Sequence, residues 1–576
     1  MIRQQALVLA PAVERHPLRD LDSHHLHEPA RHAGIAPKPD PARGDLLQGD
    51  TPARIHRIWQ AHPQRRRGQQ DDVRQAAGDD DVRPAEITVL DANHALAEGD
   101  PGRNVGLAKA NHDPAPHLEG DVGTTSDAPF DQGVDAGPDA LAMGAPQAHL
   151  GRNLPNRKRS LCRRGGHRHT PIVGQRIKLI HKIRATLDFK LTDEQRMVRD
   201  TVRDFARKRV APAAEELDRT KSFPYEIVAE LAELGLMGIP FPEEYGGGGG
   251  DTLTYALAVE ELARIDSSVA ITMAAHTSLG TMPIYLFGSS EQKADWLPEL
   301  TAGRKLAAFG LTEPDAGSDA GNTRTNATLD EGEWVIDGAK QFITNAGTEI
   351  SGCVTITAVT GGQTGNDAGG SSSARKEISN LIVPNGTPGY EPGEPYRKMG
   401  WNASDTRPLS FDSCRVPESS LLGPRGAGFK QFMQILDGGR IGVAAMAVGL
   451  AQGALDEAIA YAKERQAFGK PIGKFQAIQA KVADISAQLE AARLLTYRAA
   501  LQKDAGESFT LTAAQAKLIT GRLAVRACEE AVQIHGGYGF IEEYPVCRFY
   551  RDAKILTIGE GTDEVQHMVI ARQLGL

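Results

Sequence analysis

Apolar residues recur at helical spacing in the first of three segments that follow one another from about residue 184. Thr192 is followed three residues later by Gln195, a spacing that is typical of a capping box at the start of a helix. The pattern predicts two or three helices and then a further helical stretch over Leu253–Leu279, whose second half is apolar nearly all round. A helix of that kind is buried, either as plain core or as the wall of a pocket.

Between about residues 305 and 424 the spacing of apolar residues changes to two, which is the period of a half-buried strand. Trp334-Val-Ile336 is one such run, and the Asp337-Gly338 pair that follows it is a common hairpin turn. The segment therefore predicts a β domain of short strands with a hairpin turn at Asp337-Gly338. Gly361–Ser373 is rich in glycine and serine, which is typical of a flexible surface loop.

Helical spacing returns over three long stretches, Ile441–Ala462, Ile478–Ala492 and a third that ends at Gly536-Gly537. Long amphipathic helices joined by short links pack as a bundle. The chain therefore predicts an α+β multidomain fold. Its expected parts are an N-terminal helical domain over residues 184–304, a central β domain of barrel or sandwich type over 305–424, and a C-terminal helical bundle over 425–576.

Residues 1–183 differ from the rest of the chain because they are rich in His, Arg, Pro, Asp and Gly and contain only Trp59 and Phe130 as aromatic residues. A segment that can bury so little apolar surface is predicted to have little folded structure. The alternative explanation is that the start of translation is assigned too far upstream, so that this segment is not part of the natural protein. We interpret the clusters around His24 and around Cys162 as a matter of composition, so no metal site is expected from them.

Composition and charge exclude several classes of function. The net charge of -9 and the pI near 6.0 provide no basic surface for nucleic acid. No apolar run approaches the roughly 20 residues that span a bilayer. The five cysteines form no CxxC pair, so we predict neither a disulfide framework nor a zinc site. A soluble, cytoplasmic protein is the expectation.

Several separated motifs carry the chemical signal, and the last of them places Glu560 between two glycines. Alone, Gly-Glu-Gly-Thr is most often a solvated surface turn. The motifs, in chain order, are Gly310-Leu-Thr-Glu-Pro-Asp-Ala-Gly-Ser-Asp319, Lys398-Met-Gly400, Ser404-Asp-Thr406, Glu464-Arg-Gln-Ala-Phe-Gly-Lys470, Gln533-Ile-His-Gly-Gly-Tyr-Gly-Phe540 and Glu560-Gly-Thr562. Together, in this order and on a helix, sheet, helix pattern, they resemble the acyl-CoA dehydrogenase family from about residue 184 to 576.

The resemblance implies FAD as the cofactor and implies its contacts. The flavin ring is expected against residues of the β domain, namely Phe309, Leu311, Thr312, Phe342 and Thr344, and Gly317, Ser318 and Ile343 are expected among the further cofactor contacts. The backbone of Thr312 and the hydroxyl of Thr344 would hydrogen-bond the ring, and Phe342 stands where tryptophan is common. The ADP end is expected at Arg465, Phe468 and Gln476, at Gln533, Gly536 and Gly537 of the partner subunit, and at Thr562 and Glu564.

The resemblance also implies that Glu560 is the base that removes the α-proton of a saturated acyl-CoA while a hydride leaves the β-carbon for the flavin. The backbone N–H of Glu560 and a ribityl hydroxyl of FAD would stabilise the charge on the thioester oxygen. Some relatives carry the base at the position of Gly439, where glycine cannot serve. Substrate contacts are expected from Ser318, Asp437, Arg440, Gly559, Gly561, Ile271 and Ala275.

Side-chain size gives a further expectation about the substrate. Ile271 and Ala275 are apolar and moderate in size, and Gly559 leaves room near the α- and β-carbons, so we expect a short to medium acyl chain that tolerates branching. The resemblance implies a homodimer or homotetramer and an electron-transfer flavoprotein as the electron acceptor. An acyl-CoA oxidase, a flavin monooxygenase and a scaffold without turnover are the alternatives. The monooxygenase would lack Glu560, and a nucleic-acid scaffold would need a basic face.

Overall fold

The computed structural model describes residues 190–362 and 376–576. The predictions for residues 1–183, and for all but the first two residues of the Gly361–Ser373 loop, lie outside this part of the chain. Within it, helices are followed by a mixed sheet and then by longer helices, which confirms the predicted fold class.

Helices form the first part of the described chain, and the capping box predicted at Thr192 is present. The Thr192 hydroxyl accepts from the N–H of Gln195 at 3.1 Å, and the Gln195 side chain accepts from the N–H of Thr192 at 3.0 Å. The helices are α1 Asp193–Phe205, α2 Ala211–Thr220, α3 Tyr225–Glu233, α4 Thr252–Ala263, α5 Ser267–Ala275, α6 Met282–Phe287 and α7 Ser290–Thr301.

The stretch predicted as one helix over Leu253–Leu279 is two helices, α4 and α5, followed by a π-helical turn over His276–Thr281. Asp266 causes the break, because its carboxylate accepts from the N–H groups of Ser268 and Val269 at 2.8 and 3.0 Å and so caps the start of α5. The burial predicted for the second half is confirmed, since every residue of α5 is buried.

The strands are β1 Leu306–Gly310, β2 Asn326–Asp330, β3 Glu333–Thr344, β4 Ser351–Gly361, β5 Glu377–Pro384, β6 Tyr390–Pro392 and β7 Thr406–Pro417. Within the described residues they form one seven-stranded sheet in the order β1-β4-β2-β3-β7-β6, with β5 paired to β4. β1 pairs with β4 in parallel, whereas β3 and β7 are antiparallel. Trp334, Ile336, Val354 and Ile356 are buried in the core of this domain.

The hairpin turn predicted at Asp337-Gly338 is wrong. β3 runs through both residues, and its pairing with β7 shifts register there. Gly338 has a φ of 150°, and a Cβ on it would lie 2.7 Å from the Cα of Thr325, so this glycine marks a bulge and a close approach. The turn between β2 and β3 lies instead at Glu331 and Gly332, whose φ values of 51° and 85° suit a tight hairpin.

After the sheet come α8 Gly428–Glu464, α9 Gln476–Asp504, α10 Thr510–His535, α11 Pro545–Ala553 and α12 Asp563–Gln573, with the short pair β8 Gln466–Ala467 and β9 Lys470–Pro471 between α8 and α9. Helices α8, α9 and α10 pack on one another, as predicted for a bundle. Because the links between them are short, α8 and α10 run in the same direction and α9 runs in reverse.

Among the described residues, α8 is the one helix that is long and apolar enough to cross a membrane, judged by length and composition alone. Of its most apolar window, 72% is buried inside the protein. The apolar character of α8 is therefore that of a core helix, around which the other helices of the bundle and of the N-terminal region pack.

Two polar side chains fasten α5 and its π-helical turn to the sheet. His276 Nδ1 accepts from the N–H of Ala307 in β1 at 3.0 Å, and its Nε2 lies 2.9 Å from the carbonyl oxygen of Leu300. Burial lowers the pKa of His276 to about 4, so the ring is neutral at pH 7. The Asn345 amide, just after β3, donates to the carbonyl of Thr272 at 2.9 Å. The buried helix therefore has a fixed position against the sheet.

Candidate active site

Glu560 lies in the loop between α11 and α12 in a strained backbone conformation. Its φ is 56°, and that of Gly561 is 87°. Left-handed values are uncommon for a residue with a side chain, and they persist where surrounding contacts enforce them, often at functional sites. Thr562 then caps α12, since its hydroxyl accepts from the N–H of Val565 at 3.3 Å. The loop is therefore anchored directly after its strained centre.

Two buried side chains, which we call the carbonyl clamp, hold the backbone of this loop. The Gln566 amide donates to the carbonyl oxygens of Glu560 at 3.1 Å and of Gly561 at 2.9 Å. The Lys517 ammonium, on α10, donates to the carbonyl of Gly561 at 2.7 Å, and the Lys517 side chain is fully buried. None of the hydrogen bonds among the described residues uses the N–H of Glu560, which is therefore available to a ligand. Nothing in the local sequence pattern around Lys517 or Gln566 indicates a contact with the loop, so neither residue is among the predicted site residues.

The Glu560 carboxylate occupies space that Gly439 leaves open. A Cβ on Gly439 would lie 2.8 Å from Glu560 Oε2 and 3.3 Å from the side chain of Leu279. Oε2 is buried and has no hydrogen-bond partner among the described residues. Burial raises the pKa of Glu560 to about 7, although the charges of Arg440 and Lys517 act in the opposite direction. A carboxylate that has one buried, unpartnered oxygen and ionises near neutral pH is suited to act as a general base.

Asp437 and Arg440, both predicted to contact substrate, form an ion pair with each other. Arg440 Nη1 lies 2.5 Å from Asp437 Oδ1, and the other Asp437 oxygen accepts from the hydroxyl of Thr510 at 2.6 Å. Arg440 is buried, and its Nε has no partner among the described residues. Both Asp437 oxygens are thus engaged, while Arg440 is a nearby cation that stabilises the ionised form of Glu560. Their contact with substrate stays a prediction.

Ile271 and Ala275 are buried on α5, where residues of a pocket wall would be. Leu279 lies in the π-helical turn that continues α5, and its side chain reaches the space at Gly439 beside the carboxylate. Leu279 is not among the residues that the sequence predicts to contact substrate. Its spacing of four residues from Ala275 is the signal that could have indicated it. A Cβ on Gly559 would meet the carbonyl oxygen of Ile555 at 3.6 Å, an ordinary contact distance, and the room that this glycine leaves for a substrate stays a prediction.

The structure joins the two stretches that are predicted to face the flavin. The N–H of Gln341 donates to the carbonyl of Thr312 at 2.8 Å, which places the loop after β1 beside the end of β3. Phe342 follows with a φ of 63° and 65% of its surface exposed, and its ring centre lies 5.4 Å from that of Tyr396. An exposed aromatic ring offers a face on which a planar ligand can stack. Of the other predicted contacts, Phe309 and Ile343 are buried, Leu311, Thr312 and Thr344 are partly buried, and Gly317 and Ser318 are exposed.

A buried ion pair supports the same stretch. Lys340 Nζ lies 2.7 Å from Glu313 Oε1 and donates to the carbonyl of Thr357 at 2.7 Å. Glu313 also accepts from the N–H groups of Arg324 and Thr325 at 2.6 and 3.1 Å. The pair therefore ties the start and the end of the loop after β1 to the sheet. Glu313 is part of a motif that is recognised in the sequence. Lys340 is not, because its place in a strand does not indicate a buried charge.

A second site, at the ends of α8 and α10, contains residues predicted to bind the ADP end of FAD. Arg465, Gly536 and Gly537 line one concavity of about 520 Å³, together with Tyr461 and His535. The resemblance divides these residues between two subunits, whereas the structure brings them together in one chain. The reason is that α8 and α10 run in the same direction, so that their last residues meet. Three further residues that are predicted to bind this end of FAD are exposed, namely Phe468, Gln476 and Gln533. They lie within about a dozen residues of Arg465 or Gly536 in the chain.

The two ends of the predicted FAD site are far apart in a single chain. Gly439 and Glu464 both lie in α8, and the helical rise of 1.5 Å per residue separates them by about 38 Å. Glu560 lies beside the first of them, and Arg465 follows directly after the second. Thr562 and Glu564, which are predicted to contact the adenosine, lie at the Glu560 end.

The exposed groups at these two sites fit an extended cofactor that carries a planar ring and phosphates. Phe342 and Phe468 have open faces, with 65% and 94% of their surfaces exposed. No described atom lies within 4 Å of a Cβ built on Gly317, Gly536 or Gly537, so a phosphate or a ring can approach the backbone closely there. Within residues 190–362 and 376–576 no group of His, Cys, Asp and Glu could hold a metal ion.

Comparison with protein-family models matches three consecutive domains of one family: the acyl-CoA dehydrogenase N-terminal domain over residues 192–304, the middle domain over 308–414 and the C-terminal domain over 426–575. The chain belongs to the acyl-CoA dehydrogenase family. It is therefore an FAD-dependent oxidoreductase, as the resemblance implies.

Similar proteins agree with this assignment. This chain is 52% identical over 388 residues to the probable acyl-CoA dehydrogenase YngJ of Bacillus subtilis. The match covers 67% of this chain and 100% of that protein. The chain resembles the structure of butyryl-CoA dehydrogenase from Megasphaera elsdenii with a TM-score of 0.64 and 46% identity, over 68% of this chain and 100% of that one. A chain in a structure of the electron transferring flavoprotein of Acidaminococcus fermentans matches with a TM-score of 0.64 and 44% identity, over 67% of this chain and 99% of that one.

Proposed function

We propose that this acyl-CoA dehydrogenase oxidises short to medium acyl-CoA thioesters, including branched ones, to their trans-2,3-enoyl products, and that Glu560 is the base. The observation that carries the proposal is the buried, unpartnered Oε2 of Glu560 above Gly439. Burial of an ionisable group without a partner is costly, and it is retained where catalysis uses it.

Glu560 takes the α-proton, and the electron pair of the broken C–H bond then enters the new double bond between the α- and β-carbons. The pKa of Glu560, near 7, brings the base closer to the very weakly acidic α-proton than an ordinary carboxylate would be. When bound, FAD supplies the acceptor for the hydrogen that leaves the β-carbon with its electron pair. One oxidised bond in the substrate thus corresponds to one reduced cofactor.

The backbone of the loop stabilises the negative charge that builds up on the thioester oxygen during proton removal. The N–H of Glu560 is free to donate to that oxygen, and the carbonyl clamp of Lys517 and Gln566 holds the carbonyl groups of Glu560 and Gly561, which follow this N–H in the chain. A donor that is fixed before the reaction needs no reorganisation during it. The strain at Glu560 is therefore part of the proposed mechanism.

The size of the substrate follows from the wall of α5 and from the relatives. Ile271, Ala275 and Leu279 present apolar side chains of moderate size along one face of the helix and its continuation. Butyryl-CoA dehydrogenase of M. elsdenii, which matches over the whole of its length, acts on a four-carbon acyl group by its name. Because Gly559 precedes the base and has no side chain, we expect space near the α- and β-carbons, which supports tolerance of a branch.

We infer a homo-oligomer of at least two chains, because one chain separates the two halves of the FAD site. About 38 Å of α8 lie between Gly439 and Glu464, which is more than one dinucleotide can span. A partner subunit that lies antiparallel along this helix brings the Arg465 end of one chain to the Glu560 end of the other. An electron transferring flavoprotein is the proposed electron acceptor, supported by the related chain in the A. fermentans structure.

Anaerobic reduction of the purified protein tests the proposed function. Bound flavin absorbance should bleach on addition of butyryl-CoA or a branched short acyl-CoA, and it should bleach more slowly with acyl groups longer than about twelve carbons. Absence of bleaching with every acyl-CoA would overturn the activity. Rapid formation of peroxide in air would instead identify an oxidase.

A further inference from the structure

The π-helical turn over His276–Thr281 continues the buried helix α5. Its hydrogen bonds reach back five residues, as in the bond from the N–H of Met282 to the carbonyl of Thr277. Turns of this kind are rare and are frequent at functional sites. Because such a turn contains one residue more than an α-helical turn, its side chains point in other directions than those of a continuous α-helix.

Two contacts with strand β1 fix this turn. The Nδ1 atom of His276 accepts from the N–H of Ala307, so the ring proton is on Nε2, which donates to the carbonyl of Leu300 at 2.9 Å. A Cβ on Gly280 would lie 2.1 Å from the carbonyl oxygen of Ala307, so the backbone of the turn lies directly on the strand. Since His276 is fully buried and neutral at pH 7, its contacts do not change with pH in the physiological range.

Leu279 extends from this fixed turn to the catalytic carboxylate. The atoms nearest to the Cβ position on Gly439 are Oε2 and Cδ of Glu560, at 2.8 and 3.1 Å, and Cδ2 of Leu279, at 3.3 Å. The leucine methyl group and the carboxylate thus meet over the bare backbone of α8. Oε2 is buried and has no hydrogen-bond partner among the described residues. An apolar group at this place leaves less room for a water molecule to solvate it.

The charged and titratable groups around Glu560 come from several helices. Arg440 on α8 and Lys517 on α10 are cations, and both lower the pKa of Glu560. Asp563 on α12 lies 4.0 Å from the Lys517 ammonium. Tyr255 on α4 packs against α8, and burial raises the pKa of its phenol, so the ring is neutral at physiological pH. Since the two cations act against it, the raised pKa of Glu560 comes from burial.

We propose that Leu279 is a positioning residue for the base: its side chain excludes water from Oε2 of Glu560, and the contacts of His276 hold the turn that directs it there. The inference rests on the proposed function, in which Glu560 removes the α-proton. Leu279 has this effect in addition to its place in the wall of the acyl site. Exclusion of water destabilises the charged carboxylate, so the leucine opposes the two cations and keeps the pKa near 7.

The variants Leu279→Ala and Leu279→Met test the proposal through the pH dependence of anaerobic flavin bleaching by saturating butyryl-CoA. Alanine opens the space to water, so the inflection near pH 7 should move about one unit lower. The rate above the inflection should fall roughly threefold, because the base is weaker. Methionine keeps an apolar chain of similar volume, so the inflection should stay within about 0.2 unit of the parent's.

Leu286→Ala is the matched control. It removes the same atoms from a leucine of α6 that is 48% exposed, and it should keep the inflection of the parent enzyme. A merely wider acyl site in Leu279→Ala would raise the KM for butyryl-CoA and leave the inflection in place. The inflection and the KM therefore distinguish the effect on the base from an effect on substrate packing.

Variants of His276 test the part of the proposal that concerns the turn. His276→Phe removes both polar contacts, and its inflection should move in the same direction as that of Leu279→Ala. His276→Asn keeps an acceptor for the N–H of Ala307, so its inflection should lie between those of the parent and the phenylalanine variant. Parent-like inflections in both folded variants would overturn the role of His276.

A second measurement of the Leu279 effect needs no turnover. The stability difference between Glu560→Gln and the parent at pH 8 is measured by denaturant unfolding, and again with Leu279→Ala present in both chains. A lower pKa makes the charged carboxylate less costly, so the difference should shrink by the equivalent of about one pH unit.

Three outcomes are decisive. A folded, FAD-containing Leu279→Ala variant in which neither the inflection nor the stability difference changes overturns the role of Leu279. An inflection that moves equally far in Leu286→Ala overturns it as well. Failure of the parent to bleach with any acyl-CoA overturns the proposed function, whereas a smaller stability difference with Leu279→Ala would still support the effect of this leucine on the Glu560 carboxyl.

Discussion

Glu560 Oε2 lies 2.8 Å from the point that a Cβ on Gly439 would occupy. Real Cβ atoms are essentially never found so close to another heavy atom, so a side chain at position 439 would displace the carboxylate from its present position. Glycine in the middle of a long core helix costs roughly 0.5–1 kcal/mol relative to alanine. The enzyme therefore carries a weak point in α8 at the place where its base needs space.

Gly439→Ala should lower kcat by about 10²-fold while the protein keeps its fold, because a displacement of the carboxylate by about 1 Å is enough for a loss of that size. Gly438→Ala is the matched control, since its Cβ would meet only the flexible end of Lys503 at 3.3 Å. Steady-state rates with butyryl-CoA and thermal unfolding check both variants. Equal rates for the two variants would contradict the geometric account.

The pH dependence of the rate should follow the ionisation of Glu560. Activity should rise with pH through about 7, where the carboxyl loses its proton. Lys517→Met removes a cation that lowers this pKa, so the rate should fall and the inflection should move to higher pH, while Arg440 continues to act. Arg522→Met is the control, because Arg522 pairs with Asp563 at 2.8 Å and makes no contact with the carbonyl of Gly561. An inflection that does not move in Lys517→Met contradicts the effect of the Lys517 charge on the pKa of Glu560.

Glu560→Gln should be more stable than the parent enzyme above pH 7. The folded pKa of about 7 lies above the ordinary value of 4.5, so the folded state binds the proton more tightly and loses stability as pH rises through 7. The glutamine variant lacks this loss, and its advantage should grow from about 1 kcal/mol at pH 5 to on the order of 3 kcal/mol at pH 8. Denaturant unfolding at both pH values measures it, and an advantage that is equal at pH 5 and pH 8 argues against a raised pKa.

Lys340→Met should destabilise the protein by about 3–5 kcal/mol and reduce its FAD content, because it leaves the buried Glu313 charge without a partner. The double variant Lys340→Met with Glu313→Gln should recover part of the stability. Lys430→Met is the control, since Lys430 is exposed and its side chain makes no hydrogen bond or ion pair among the described residues. The measurements are the free energy of unfolding and the flavin absorbance per chain. If the double variant is no more stable than the single one, the pair is not the cause.

Two inactive variants should restore activity when they assemble together. Glu560→Gln removes the base, and Arg465→Met removes the cation proposed for the distant half of the FAD site. In a mixed dimer one of the two sites receives Glu560 from one chain and Arg465 from the other, so it is intact. Co-expression and activity measurement check this, and activity no higher than in the separate variants would contradict the shared site.

Local signals in the sequence predict most of the fold. The capping box at Thr192 and the three helices of the bundle appear as expected, because capping and apolar spacing depend on residues close in the chain. The hairpin at Asp337-Gly338 fails because its glycine serves a close approach to Thr325, the residue directly before β2. Such a contact leaves no trace in the local pattern.

The candidate site is predictable only where a motif carries it. Glu560 and Gly439 are singled out by resemblance, but the carbonyl clamp of Lys517 and Gln566 is not. Lys517 lies more than 40 residues before the loop that it holds. The structure also places Tyr255 behind α8, where helical spacing alone indicates an ordinary core residue. These positions depend on tertiary packing, which the sequence pattern does not contain.

The central claim is that Glu560 removes the α-proton, and a single-turnover measurement tests it most directly. Glu560→Gln and, as control, the exposed Glu529→Gln are loaded with FAD and mixed anaerobically with butyryl-CoA at pH 8. We predict that the Glu529 variant bleaches at the parent rate and that the Glu560 variant is slower by about 10³-fold, within the usual range for loss of a general base. Bleaching of Glu560→Gln at the parent rate would contradict the account.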